Sequence, residues 1–338
     1  MATPWGTPHP HHLEPVVFAD IMGVTPSTID RSTAIRIPSL SRARLLIVST
    51  IPRLPLITTD AAGDEIDTPA WLTASSGSVT PFHRMLWTID DLFFYGWSLW
   101  AVDRDPDGHV TDAARLDYSR WAIDSDGTVI VDGKPAKSDE VLLFPGVNEG
   151  ILTFGADTLL EAANIARAIQ KAADTPAANI ELHQTNDAQL SREAVRELIA
   201  DWARARRGEN GGVAYTSSGI EVREHGAAKE HLLIQGRNAV AVDVARHAGI
   251  PAAMIDATLS GASITYQNTA ARMTELVAFG LAPLMAAVSA RLSQDDVTPP
   301  GVSIEFDATS VVEKLRPAPT DADVDPLADE LDERTTNA

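Results

Sequence analysis

Apolar residues recur at three- and four-residue spacing along several stretches of the chain and alternate in others, and the change of period divides it. Leu40, Ala43, Leu46 and Ile47 share one face of a helix predicted over 39–51, stopped by Pro52 and Pro55. Thr80-Pro81-Phe82 opens a second helix in which Met85, Leu86, Ile89, Leu92 and Phe93 fall together, with Gly96 as its end. The period then shortens. Trp97, Leu99 and Ala101 alternate with Ser98, Trp100 and Val102, and turns are signalled at Asp105-Pro106-Asp107-Gly108, Asp124-Ser125-Asp126-Gly127 and Asp132-Gly133. These residues, with the apolar strand 141–144, predict a small antiparallel β region.

Helical spacing returns after Gly155. Thr158 and Glu161 form a capping-box pattern before Leu159, Ala162, Ala166, Ile169 and Ala173, and Pro176 ends that helix. A helix over 191–207 places Val195, Leu198, Ile199 and Trp202 inward, and strands 213–216 and 220–223 make a hairpin about Ser217-Ser218-Gly219. The next helix, 232–248, is closed by Gly249 and Pro251. A small polar loop, 255–263, leads into the longest helical pattern, 264–292, about 45 Å at 1.5 Å per residue. Pro283 inside it lacks the amide that would bond Phe279, and with Gly280 nearby a bend is expected there. A strand over 302–306 follows, and from Glu313 the chain turns Pro- and Asp-rich, too polar to pack.

Composition narrows the chemistry. The 338 residues are 44% hydrophobic, enough for a substantial core, and contain no cysteine, which excludes disulfides and thiolate metal sites. No N-terminal signal pattern and no run of eighteen apolar residues stands in the sequence, so a soluble protein with no membrane partner is expected. The net charge of −20 disfavours broad binding of phosphates. His9, His11 and His12 lie in a Pro-rich arm with no completing ligand. Asp103, Asp105 and Asp107 alternate before Gly108 as in a calcium loop, but the twelfth position is Ala114 and the flanks read as strands. No Gly-x-Ser-x-Gly elbow is present, and Gly208, Gly211 and Gly212 fit no phosphate loop. Glu193 and Glu197 interleave with Arg192 and Arg196 as a solvated, ion-paired face. Arg204, Arg206 and Arg207 suit a helix C-terminus through its dipole, or else a docking surface for an acidic partner. No catalytic residue, metal or cofactor is expected.

Five stretches in order resemble the portal proteins of tailed bacteriophages, siphovirus type: Asp139 to Gly146; Leu190 to Trp202, then Asn210-Gly211-Gly212-Val213; Gly236 to Pro251; Thr265-Tyr266-Gln267-Asn268; and Gly280 to Leu284. The resemblance spans roughly 35–312. It implies an α+β fold with a flexible arm (1–34), a β-rich wing (35–155), stem helices (156–175 and 229–254), a small α/β clip (176–228), a tunnel loop (255–263), a kinked spine helix with a return strand (264–312) and an acidic tail (313–338) in place of a helical crown. It further implies a homo-oligomer, a dodecameric ring at one capsid vertex of the virion, assembled in the host cytoplasm. Double-stranded DNA would pass through without sequence-specific contact. The terminase large subunit, a head–tail adaptor, and the major capsid and scaffolding proteins would be its partners. On that reading Thr258, Leu259, Ser260, Gly261, Ala262 and Ser263 line the tunnel, Gly280 and Pro283 bend the spine, and Arg204, Arg206 and Arg207 dock the motor or adaptor. A soluble α+β hydrolase and a head–tail adaptor ring component remain the alternatives.

Overall fold

The computed structural model describes residues 29–74, 78–174, 180–186, 190–206, 219–224, 230–255 and 272–309. The chain divides into two units, Met1–Asn164 with Arg237–Ala338, and Ile165–Gly236.

In the larger unit Asp30 accepts the Thr33 amide at 2.7 Å and so caps the single turn α1, Arg31–Ala34. Helix α2, Pro38–Thr50, starts on a proline and buries Leu40, Ala43, Ile47 and Val48. Pro52 does not stop it at once. A 3₁₀ turn, Ile51–Arg53, carries the chain through, because proline is tolerated near the start of a new turn. Strand β1 (Leu56–Thr59) lies between β2 (Glu65–Ile66) and β11 (Ser303–Phe306), which returns from far along the chain to pair antiparallel with it. The short α3, Ala70–Thr73, is signalled by no period in the sequence.

Helix α4, Pro81–Tyr95, is capped by Thr80 and ends at Gly96 in the left-handed region at φ +74°. A side chain there would meet the Asn148 carbonyl oxygen at 2.3 Å, so glycine is required twice over. The alternating stretch folds as two three-stranded sheets rather than one. In the first, β3 (Trp97–Arg104) lies between β4 (Val110–Leu116) and β8 (Val141–Pro145). The second joins β5 (Trp121–Ile123), β6 (Val129–Val131) and β7 (Lys134–Pro135). Trp97, Leu99, Trp121, Ile123 and Val141 form one core cluster of this region.

Polar groups are taken into this unit with partners. Arg84, 3% exposed, donates to the carbonyls of Ala113, Trp71 and Leu72 at 2.7, 2.9 and 3.0 Å and lies 4.9 Å from the Trp100 ring centroid. Trp100 Nε1 donates to Thr88 Oγ1 at 2.6 Å. Asp90 accepts from Arg31 at 2.6 Å and from Arg44, and so ties α1 and α2 to α4. Asp91 accepts from Arg115 Nη2 at 2.5 Å and from Ser98 Oγ at 2.9 Å. Burial pushes Asp91 up to about 6, against the pull of Arg115 and Ser98.

After β8 the chain enters α5 (Ile151–Phe154) and α6 (Ala156–Asp174). The capping-box expectation at Thr158 is thereby corrected. Thr158 is the third residue of α6, and its hydroxyl meets His247 Nε2 at 3.0 Å instead of an end amide.

The smaller unit holds β9 (Ile180–Gln184), α7 (Arg192–Arg206) and β10 (Ile220–Glu224). Ser191 Oγ accepts the Ala194 amide at 3.2 Å and so caps α7 at its N-terminus. Strand β10 pairs antiparallel with β9, a strand not expected from the sequence; the other strand of the expected hairpin, 213–216, lies outside the described residues. The inward placement of the α7 stripe is also corrected, since Val195 and Ile199 are 40% and 57% exposed. Helix α8, Glu230–His247, runs from this unit into the larger one.

Candidate functional site

Within the larger unit, the end of α8 meets the last long helix at a seam of two glycines. The C-terminus of α8 closes with Ala248 N–H on Val244 O and Ile250 N–H on Ala245 O, and Gly249 turns the chain at φ +65°. Pro251 then prevents any continuation. A Cβ on Gly249 would lie 2.9 Å from the Phe279 carbonyl oxygen, and one on Gly280 would lie 3.0 Å from the Gly249 oxygen and from Ile250 Cγ2. Neither position has room for a side chain. The two backbones touch because both residues are glycine.

The last helix, α9, is described over Arg272–Leu292. Where a bend was expected it contains a π-helical stretch, Leu276–Leu281, followed by a regular part, Ala282–Leu292. Pro283 cannot donate to Phe279, so an α-helical bond is lost there, and Ala282 bonds back five residues to Val277 instead. By length and apolar content α9 would pass for a membrane span, unlike the expectation from the sequence. Leu276, Leu281, Leu284, Met285, Val288 and Leu292 are nevertheless buried in the unit, as in a core helix. Its far end is held by Arg291, which donates to the Leu143 carbonyl at 3.1 Å and doubly to Asp296 at 2.8 Å.

Beside the seam opens a groove of about 130 Å³, lined among others by Ile47, Leu92, Phe154, His247, Phe279 and Pro283. Phe279 is 70% exposed, Val147 41% and Phe154 38%. The His247 ring, 5.4 Å from that of Phe154, is held by its bond to Thr158. Among the described residues no carboxylate, lysine or arginine lines the groove, and its one ionisable side chain, His247, is engaged with Thr158, so the groove suits an apolar side chain.

The chain matches the family described as phage portal protein over residues 39–320. It is a member of that family. A crystal structure of an HK97 family phage portal protein from Corynebacterium diphtheriae is 42% identical, covers 87% of this chain and 99% of its own, and superposes with a TM-score of 0.66. The neck of an empty gene transfer agent particle, computed with C6 symmetry, shares the fold at 16% identity, 92% and 90% coverage and TM-score 0.64. The neck of a native particle, computed with C12 symmetry, does so at 16%, 91% and 90%, and 0.62. No curated protein sequence matches. The portal family is structural rather than catalytic.

In this portal chain Gly280 is buried in the π-helical stretch and Pro283 is the second residue of the regular part. Arg204 is exposed and paired with Asp201 one turn earlier on α7, and Arg206 is the last residue of that helix. Arg207 and the six loop residues, Thr258 to Ser263, lie outside the described residues. The seam therefore joins Gly280, where a bend was expected, to Gly249, which in the sequence stands out only as a helix end. A glycine at the end of a helical pattern, two residues before Pro251, was the available signal; its contact with Gly280 was not.

The aspartates of the β3–β4 turn are also placed. Asp105, Asp107 and His109 bring their ligand atoms within 4.8 Å of one another. Asp105 already accepts the amides of Asp107 and His109 at 3.0 and 2.9 Å, and the His109 amide above all holds its carboxyl below the usual carboxylate range. It shapes the turn.

Proposed function

We propose that this portal chain assembles into a ring-shaped channel at one capsid vertex, through which double-stranded DNA enters during packaging and leaves on ejection. The observation that carries this reading is the family match over 39–320, together with the likeness to a portal crystal structure that this chain covers almost completely. The charge agrees with it. A channel for a motor-driven duplex must not hold phosphates, because each neutralising cation adds affinity through counterion release, and in this chain 47 acidic residues outnumber 27 basic ones.

In this reading residues 35–155 form the wing, 156–175 and 229–254 the stem, 176–228 the clip, 255–263 the tunnel loop and 264–312 the spine with its return strand. The terminal helix of the stem and the spine meet at Gly249 and Gly280, so a movement of the loop between them is felt at both ends of a close backbone contact. Arg204, Arg206 and Arg207 would face the terminase motor or the head–tail adaptor, contacts that act mainly through encounter rate and specificity.

Two variants test it. Gly261→Pro fixes the loop backbone, and Pro283→Ala restores an amide that can bond Phe279 and remove the π-helical stretch. Both should form rings by electron microscopy and yet protect much less genome from nuclease. Full packaging by both would overturn the role given to loop and spine; a chain that stays monomeric would overturn the channel itself.

A further inference from the structure

We propose that neighbouring copies of this chain meet head to tail, an aromatic knob at the start of α4 in one copy seating in the groove beside Phe279 of the next. The inference rests on the ring reading and adds the surfaces that join its subunits.

The knob is Phe82, His83 and Trp87. Phe82 and Trp87 are 37% and 38% exposed, with ring centroids 5.3 and 5.9 Å from that of His83 between them. Three adjoining rings, two of them apolar and more than a third exposed, form an aromatic patch on the surface of α4 that a partner could cover. The groove is its concave counterpart, with Phe279 and Phe154 on its rim.

Two features select a second copy as the occupant. The first is charge. Copies at −20 repel wherever their acids face one another, so contact is favoured where charge is missing. Among the described residues the groove lining has no carboxylate, lysine or arginine. Around the knob, from Ser78 to Ile89, the ionisable side chains are His83 and Arg84, and Arg84 is buried. The second is placement. Knob and groove lie at the two ends of one helix, for Leu92 in the last turn of α4 lines the groove, and α4 is about 22 Å long at 1.5 Å per residue. Two different patches, one at each end of α4, make a heterologous contact, the kind that propagates from copy to copy and, where the rotation closes, gives a ring.

The cysteine-free sequence gives a clean test. The full-length double variant Trp87→Cys with Phe279→Cys, treated with a short bismaleimide, should give a ladder of covalent oligomers on a denaturing gel. Either single variant should stay monomeric. In parallel, Trp87→Asp and Phe279→Asp should each raise the concentration needed for assembly at least tenfold while the melting temperature of the dilute chain holds. Closed rings by electron microscopy without a ladder would overturn this contact and leave the ring standing. Covalent dimers from the Phe279→Cys variant alone would show like patches facing each other, and so would overturn it too. Shielding of the cysteine at position 279 from maleimide in the dilute chain would mean that the chain's own residues fill the groove, leaving no seat for a neighbour, and the contact would fall in that case as well. A chain that never assembles would overturn both readings.

Discussion

The two units of the molecule treat the same kinds of residue differently. In the larger unit, Ile89 on α4 is wholly buried and a pair of adjacent aspartates is sunk beside it, each held by arginines. In the smaller unit, Ile199 on α7 is 57% exposed, and the ion pairs, Arg204 with Asp201 and Arg223 with Glu221, lie near the surface. Both helices show an apolar stripe at helical spacing. The difference teaches that the stripe states which face wants cover, and that only the rest of the fold decides whether one chain supplies it.

The largest effect is expected where charge is buried. Asp91→Ala would leave Arg115, whose side chain is 14% exposed, without its main partner and with the partly exposed Asp117 as its remaining ion pair. Removing one member of such a pair costs about 3–5 kcal/mol. For a unit of this size that lowers the melting temperature by on the order of 10 °C. Thermal unfolding followed by circular dichroism measures it, and a drop below about 2 °C would mean that water reaches the pair and the burial is only apparent.

A matched pair of substitutions breaks or keeps the comparison more directly. Ile89→Ala opens a cavity in the larger unit and should cost about 2–5 kcal/mol. Ile199→Ala removes a side chain already more than half in solvent and should change the stability of the dilute chain by about 0.5 kcal/mol or less. Urea unfolding of both at one protein concentration gives the two values, and equal losses would erase the contrast between the units.

Much of this was legible in the sequence. Helix α4 was, because a proline start, a glycine end and five apolar residues at helical spacing all agreed. The strand β9 was not, since Ile180 and Leu182 are its only large apolar residues and give too short an alternation to stand out. Thr158 misled because Thr-x-x-Glu also occurs inside helices, and only the packed His247 shows what the hydroxyl does. Of the site, Gly280 and Pro283 could be singled out as a break in the regular helix, which is π-helical over Leu276–Leu281, while the contact of Gly280 with Gly249, 31 positions away, needed the fold. Asp90 and Asp91 carried no signal. Their arginines stand in other elements, and charge patterning reads only neighbours within a turn or two.

The smallest effect separates burial of charge from burial of bulk in the larger unit, and it is read from pH. Asp91 titrates at about 6 in the folded chain, because desolvation outweighs the bonds from Arg115 and Ser98, against a reference value of 3.8. Its folded value is the higher one. Between roughly pH 4 and 6 the folded chain therefore holds a proton that the unfolded chain has released. Stability must then fall as pH rises through that window, with a slope from this group of at most about 1.4 kcal/mol per pH unit. Carboxylates such as Asp30 and Asp117, held below their reference value by hydroxyl and amide donors, act in the opposite sense and lose stability as pH falls. The total curve mixes both kinds. Asp91→Asn isolates the first, since it keeps a side chain of the same shape near Ser98 but has nothing to titrate. Denaturation midpoints of the two proteins, taken at half-unit steps from about pH 4 to 6.5, should diverge, the parent losing more stability than the variant as pH rises. Parallel curves would place the folded value of Asp91 at or near its reference and show that Arg115, rather than burial, governs the site.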